Sequence, residues 1–192
     1  MGHTPDLLLI RDPHDPLASG TTGNWATGHL LSVLNTRGVG AVQAGPDTTA
    51  ESVLLLLRIA GADQPAAQEA LARAGITHLV DAESFTFIRE TSSGTTALTL
   101  VAHDALGLSY GLTELADIAA CAPDPIAALA EVATGSQRPA NAVRSITRLF
   151  TSEPEDKPWF YDHAFWDEYL TELVTQRFNR FTFSMGCGYD YL

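Results

Sequence analysis

Val143-Arg144-Ser145-Ile146-Thr147-Arg148-Leu149-Phe150 and, further on, Asn179-Arg180-Phe181-Thr182-Phe183-Ser184-Met185 each read as a β-strand. Between them, residues 162–178 set Phe165, Trp166, Tyr169, Leu170, Leu173 and Val174 on one wide apolar face of a helix. Strand, long helix, strand is a βαβ unit with a right-handed parallel crossover. Such a unit cannot bury both of its faces alone. Residues 143–192 are therefore expected to open a larger (β/α) barrel of TIM type that these 192 residues leave incomplete. A groove for a partner protein is the other use of the helix face. Cover for the barrel strands is favoured, because parallel strands are buried on both sides.

The totals describe a globular chain. Hydrophobic residues make up 45% and charged residues 18%, which separates it from disordered sequences. The formal charge of −12, with basic residues scattered singly, argues against nucleic acid as a partner. The two cysteines, Cys121 and Cys187, suit neither a disulfide framework nor a metal site. The start, Met1-Gly2-His3-Thr4-Pro5-Asp6, lacks the basic and apolar regions of a signal peptide. No run approaches the roughly 18 apolar residues of a membrane span, so a cytoplasmic protein with no membrane partner is expected.

Ahead of the βαβ unit lies a different pattern. Leu7-Leu8-Leu9-Ile10 is a continuous apolar run fitting a strand buried on both faces. A turn-rich segment, residues 12–23, precedes a helix capped by Asn24 and running to about Thr36, with Gly38 just beyond its end. Strands are expected at 39–43 and 53–59. Asp63-Gln64-Pro65 starts a helix with a capping carboxylate, and Gly75 stops it. Residues 84–90 and 95–102 then alternate apolar with polar as a hairpin, with Phe85 and Phe87 sharing one face of its first arm.

From His103 the chain reads as a helix capped by Asp104, with Leu108, Leu112, Leu115 and Ala119 in one stripe. Gly107 and Gly111 on this helix each cost about 1 kcal/mol relative to alanine, so something compensates. Close approach of the helix to a sheet is favoured over phosphate binding, since no G-x-G-x-x-G or P-loop pattern is present. A short alanine-rich helix at 126–132 and a linker at 135–141 follow. The expected organisation is a small α/β domain with a mixed sheet over residues 1–120, a linker over 121–142, and the first barrel strand, helix and second strand over 143–192.

The order strand–helix–strand–strand, a hairpin, and then His103-Asp104-Ala105-Leu106-Gly107-Leu108-Ser109-Tyr110-Gly111-Leu112 resembles the small domain preceding the catalytic barrel in glycoside hydrolases of the β-hexosaminidase and α-glucuronidase type, families 20 and 67. Arg144-Ser145-Ile146 resembles their Arg-led first barrel strand, although an Arg-Gly pair is usual there. Asn179-Arg180-Phe181 resembles their second. The resemblance implies a carbohydrate substrate, no cofactor, and catalytic acids on later strands of the parent chain. Glycoside hydrolysis needs two carboxyl groups about 5 to 9.5 Å apart. On this reading residues 1–192 hold none of the catalytic carboxylates and are inactive alone.

Barrel sites lie on the loops after the strands, here residues 151–161 and 186–192. Trp159, Tyr189 and Asp190 are the candidates for sugar contact, by stacking and by accepting hydroxyl protons, and Tyr161 and Tyr191 lie beside them. Trp159 and Tyr161 serve equally well as cover for the barrel rim. Arg144 is carried over from the resemblance as a substrate contact. For Arg148, four residues on, a structural ion pair is favoured. Glu153, Glu155 and Asp156 read as a solvated loop ahead of a cation site. The histidines, His103 and His163 among them, lack metal-site spacing, and Cys187 has no placeable catalytic partner. The rival reading is a non-catalytic α/β module that binds sugar or docks another domain.

Overall fold

The leucine-rich runs form the parallel centre of a sheet. In the computed structural model, which describes residues 5–48, 53–77, 80–92, 94–150 and 153–185, β1 (Leu7–Arg11) lies between β2 (Ala41–Ala44) and β3 (Leu55–Gly61), parallel to both. Next to β3 comes β5 (Thr95–Ala102), also parallel, and β5 pairs antiparallel with β4 (Phe85–Ser92). Leu7, Leu9, Leu55, Leu57, Leu98 and Leu100 are buried on one face, and Leu8, Ile10 and Leu56 on the other. Burial on both sides is what an unbroken apolar run encodes. Each leucine side chain so removed from water contributes roughly 1.5–3 kcal/mol before entropy is counted.

One edge departs from expectation. Residues 135–137, read above as linker, form β6 (Gly135–Gln137), antiparallel to β4, with the Thr86 and Ser136 hydroxyls 2.8 Å apart. Gly-Ser-Gln carries no strand propensity. Pairing with β4 holds it. The resulting mixed sheet has the order β2-β1-β3-β5-β4-β6 and belongs to a unit spanning Met1–Pro139.

Helices pack on both faces of this sheet. α1 (Thr21–Thr36) and α3 (Ala105–Cys121) lie against each other, and α4 (Pro125–Ala130) packs on α3. α1 starts before Asn24. Its amide instead donates to the Ser19 carbonyl, and its Oδ1 accepts from the Arg11 guanidinium. Asp104 caps α3 as expected, accepting from Gly107 N at 2.8 Å. The two α3 glycines are steric necessities. A Cβ on Gly107 would sit 2.3 Å from the Ser84 carbonyl oxygen, and one on Gly111 2.5 Å from Leu100 Cδ1.

The opposite face carries α2 (Pro65–Ala74), whose Ala67, Ala70 and Leu71 bury against Ile88 and Val101. Gln64 occupies its N-cap position without a side-chain bond, in place of the expected Asp63. Gly75 ends it in the left-handed conformation, φ 67°.

The second unit, Ala140–Leu192, contains β7 (Ser145–Phe150) and β8 (Arg180–Met185), paired in parallel from Ser145↔Arg180 to Phe150↔Met185. Between them lie α5 (Glu153–Phe160) and α6 (His163–Thr175). α5 replaces the expected open loop. The Asp162 carboxylate caps α6, and Phe178 N and Arg177 N close its end onto the Leu173 and Val174 carbonyls. Arg177 takes a left-handed φ of 62° at that reversal. Phe150 is buried and stacks on Trp159 at 5.0 Å, while Trp166 meets Phe181 and Phe183 edge-on.

Candidate functional site

The sequence of connections around β1 creates a special position in the first unit. The chain leaves β1 through α1 to β2 on one side, then crosses to β3 on the other. At such a reversal of strand order, the loops after adjacent strands diverge and leave a crevice at their carboxyl ends. Asp15, in the loop after β1, fixes this end of the sheet. It is 1% exposed. Its Oδ1 accepts from Leu17 N (2.9 Å) and Ala18 N (3.2 Å), and its Oδ2 from Gly61 N (2.7 Å). One buried carboxylate thus ties the β1 loop to the last residue of β3.

A cleft of about 430 Å³ opens beside α2. On its floor Ile10, Arg58 and Thr99 stand side by side on three adjacent strands, in register. Ala66, Ala67 and Ala70 of α2 line it, together with Asp12 and Gln64. The alanines leave room because they carry no side chain beyond Cβ.

Arg58 is the one charged residue of β3, and it sits in an otherwise apolar run. Its guanidinium makes no hydrogen bond among the described residues. Arg73, also at the cleft, is committed elsewhere. It forks onto Glu90 through Nε–Oε1 (2.9 Å) and Nη2–Oε2 (3.2 Å). The hydrogen bond from Arg73 holds the Glu90 carboxyl below its usual range against partial desolvation, and the charges of Arg73 and Arg58 add to the effect. The same bond raises Arg73, with Glu69 contributing.

None of these cleft residues was singled out from the sequence. Two signals were present: an arginine interrupting the most apolar strand, and two carboxylates directly after the first strand. What joins them is register across strands, which spacing along the chain does not reveal.

In the second unit, Arg144 immediately precedes β7, at the end opposite the one where barrel loops gather. Its Nε donates to the Arg177 carbonyl (2.6 Å) and its Nη1 to the Asn141 carbonyl (2.7 Å), while its backbone N–H donates to Asn179 Oδ1. Trp159 lies at the other end, half-buried in α5, stacked on the last residue of β7. Arg148 does not form the expected ion pair among the described residues. Its guanidinium lies over Trp159, 4.1 Å from the ring centroid, with Phe165 and Tyr169 at 5.6 and 5.7 Å, and its buried Nε has no hydrogen-bond partner there. Aromatic faces offset about 1–2 kcal/mol of such desolvation.

Asp156, expected in a solvated loop, is 8% exposed on α5, whereas Tyr161 is largely exposed. Tyr189, Asp190, Tyr191 and Cys187 lie outside the described residues. Cys121 is exposed, and among the described residues no cluster of three or more His, Cys, Asp or Glu is placed to hold a metal. Among the described residues, no helix is long and apolar enough to cross a membrane.

No family model matches the chain, and no curated protein does. Among solved structures, the fold is similar to that of a GH138 enzyme targeting pectin rhamnogalacturonan II, with a TM-score of 0.57 and 20% identity. The likeness covers 92% of this chain and 18% of that one, so the chain spans under a fifth of the length of that enzyme. At this identity the likeness establishes the fold: a mixed sheet with helices packed on it, as found in part of a glycoside hydrolase. That enzyme is of neither family 20 nor family 67.

Proposed function

We propose that these 192 residues are the N-terminal portion of a carbohydrate-active glycoside hydrolase, a small α/β domain followed by the first strand, helices and second strand of its catalytic barrel. The observation that carries this reading is the β7–β8 pair. It is a parallel two-stranded sheet, covered by aromatic residues on one face and, among the described residues, extended by no third strand at either edge. Parallel strands in soluble proteins belong to larger sheets covered on both faces. On its other face, Ser145, Thr147 and Leu149 of β7 alternate outward with exposures typical of an uncovered surface. The fold likeness to one segment of a much longer hydrolase supports the same reading.

The substrate class is a hexosaminide or a uronoside. The acid and its partner carboxylate come from later strands, and those strands are the partners that cover β7 and β8. Trp159, at the carboxyl end of β7, together with Tyr189 and Asp190, faces the substrate side. Arg144 works from the opposite end, bracing the reversal before β8. Purified as 192 residues, the chain is expected to leave aryl β-hexosaminides and aryl uronosides intact. Turnover that disappears on mutating one of its own residues overturns the proposal.

The rival reading, a non-catalytic module, draws support from the first unit's own six-stranded core. A monodisperse chain whose β7 and β8 amides resist exchange as well as those of β3 favours that rival.

A further inference from the structure

The cleft beside α2 has unsatisfied polar groups on its floor and a size suited to one small molecule. Small-ligand pockets usually span about 300–1,000 Å³, and this one, at about 430 Å³, has room for a single sugar-sized ring. Thr99 is 4% exposed, yet its hydroxyl has no hydrogen-bond partner among the described residues. Beside it stands Arg58, whose five N–H donors likewise find no acceptor there. Asp12 spends Oδ1 on His14 N (2.8 Å) and keeps its other oxygen. The Gln64 side-chain amide is uncommitted among the described residues.

Charge decides what these groups ask for. Glu69 and Glu90 both act on Arg73, and Glu90 is held by it in a bidentate fork. Arg58 reaches Glu90 through its field alone. It therefore keeps a guanidinium fork whose geometric complement is a carboxylate. The remaining groups, a hydroxyl, an amide and a carboxylate oxygen, complement hydroxyl groups on a ring. Burying this set empty would cost more than leaving the positions apolar, as they are elsewhere in β3.

We infer that this cleft binds a polyhydroxylated monocarboxylate of monosaccharide size, its carboxylate on Arg58 and Thr99 and its hydroxyls toward Asp12 and Gln64. The site lies wholly within the first unit and does not depend on the barrel reading. It survives if the chain proves not to belong to a hydrolase, and it fails independently of that question.

Titration calorimetry of the 192-residue chain with glucuronate is the direct test. Glucose, lacking the carboxylate, and acetate, lacking the hydroxyls, serve as the paired controls, with inorganic phosphate as a general anion. Saturable binding of glucuronate, with both controls and phosphate weaker by on the order of tenfold or more, is the expected result. Arg58→Gln removes the fork and is expected to weaken binding by a similar factor. Ala66→Phe, at an exposed α2 position where folding is indifferent to the change, narrows the cleft and is expected to weaken it as well. Absent binding, equal binding of glucose or phosphate, or an Ala66→Phe chain that binds like the wild type overturns the inference.

Discussion

Three glycines on helices separate steric need from chance. At Gly107 a Cβ meets backbone, the Ser84 carbonyl, which cannot step aside without moving the strand entry. At Gly111 it meets the flexible end of Leu100, and at Gly28 it meets nothing within 4 Å. In urea unfolding, Gly107→Ala is expected to cost about 3 kcal/mol, and Gly111→Ala about 1 kcal/mol after Leu100 shifts. Gly28→Ala is expected to stabilise by up to about 1 kcal/mol, from helix propensity alone. A flat series across the three positions would show that the helix stands off the sheet. Glu90 offers a second residue-scale test, through pH. Its folded pKa lies below the ordinary value of 4.5, so its contribution is fully present above about 4.5 and fades as pH falls through the depressed value. With its side chain a third exposed, screening holds that contribution below about 1 kcal/mol. Glu90→Gln is expected to lose that much at pH 7 and to converge with the wild type toward pH 2. Equal stability of the two proteins at pH 7 would remove the pair from the account.

Among the elements, α3 depends most on a single side chain. Asp104 accepts from Gly107 N through Oδ1 and from Glu83 N (2.7 Å) through Oδ2, so it caps the helix and holds the entry to β4 together. Asp104→Ala is expected to cost about 2 kcal/mol, more than an ordinary cap, with Asp104→Asn recovering part of it; thermal or urea unfolding reads this directly. This cap was legible from Asp104 preceding the Leu108–Leu112–Leu115 stripe, and so were the hairpin, the β1 run and the stop at Gly75. Those are local signals, written within a few residues. β6 was not legible, because Gly-Ser-Gln has no strand character and exists by pairing with residues about fifty positions away. α5 was missed for a different reason. Pro154 and Pro158 with four charges between 153 and 157 read as loop, and what orders them is aromatic packing of Trp159 and Phe160 on Phe150. The cleft escaped for the same kind of reason as β6, since Ile10, Arg58 and Thr99 are neighbours only through strand register.

On the scale of the molecule, apolar burial is unevenly shared. The first unit encloses leucines on both faces of its sheet, whereas Phe150 and Leu173 are the buried apolar residues found in the second, where Val143, Leu149, Leu170 and Phe183 are each more than two-fifths exposed. Hydrogen exchange of the isolated chain is expected to show β3 and β5 amides opening only with global unfolding, and β7 and β8 amides exchanging far faster by local opening. Uniform protection across both units would contradict the division. The closing of the first sheet by β6 has a consequence during synthesis. Its last hydrogen-bonded residue, Gln137, is also its last in chain order, so every strand of that sheet has emerged from the ribosome before β7 is made. The first unit can finish folding while the β7–β8 edges are still waiting for partners. A nascent chain paused after residue 139 would then already resist protease, and the burden on chaperones would fall on what is translated afterwards.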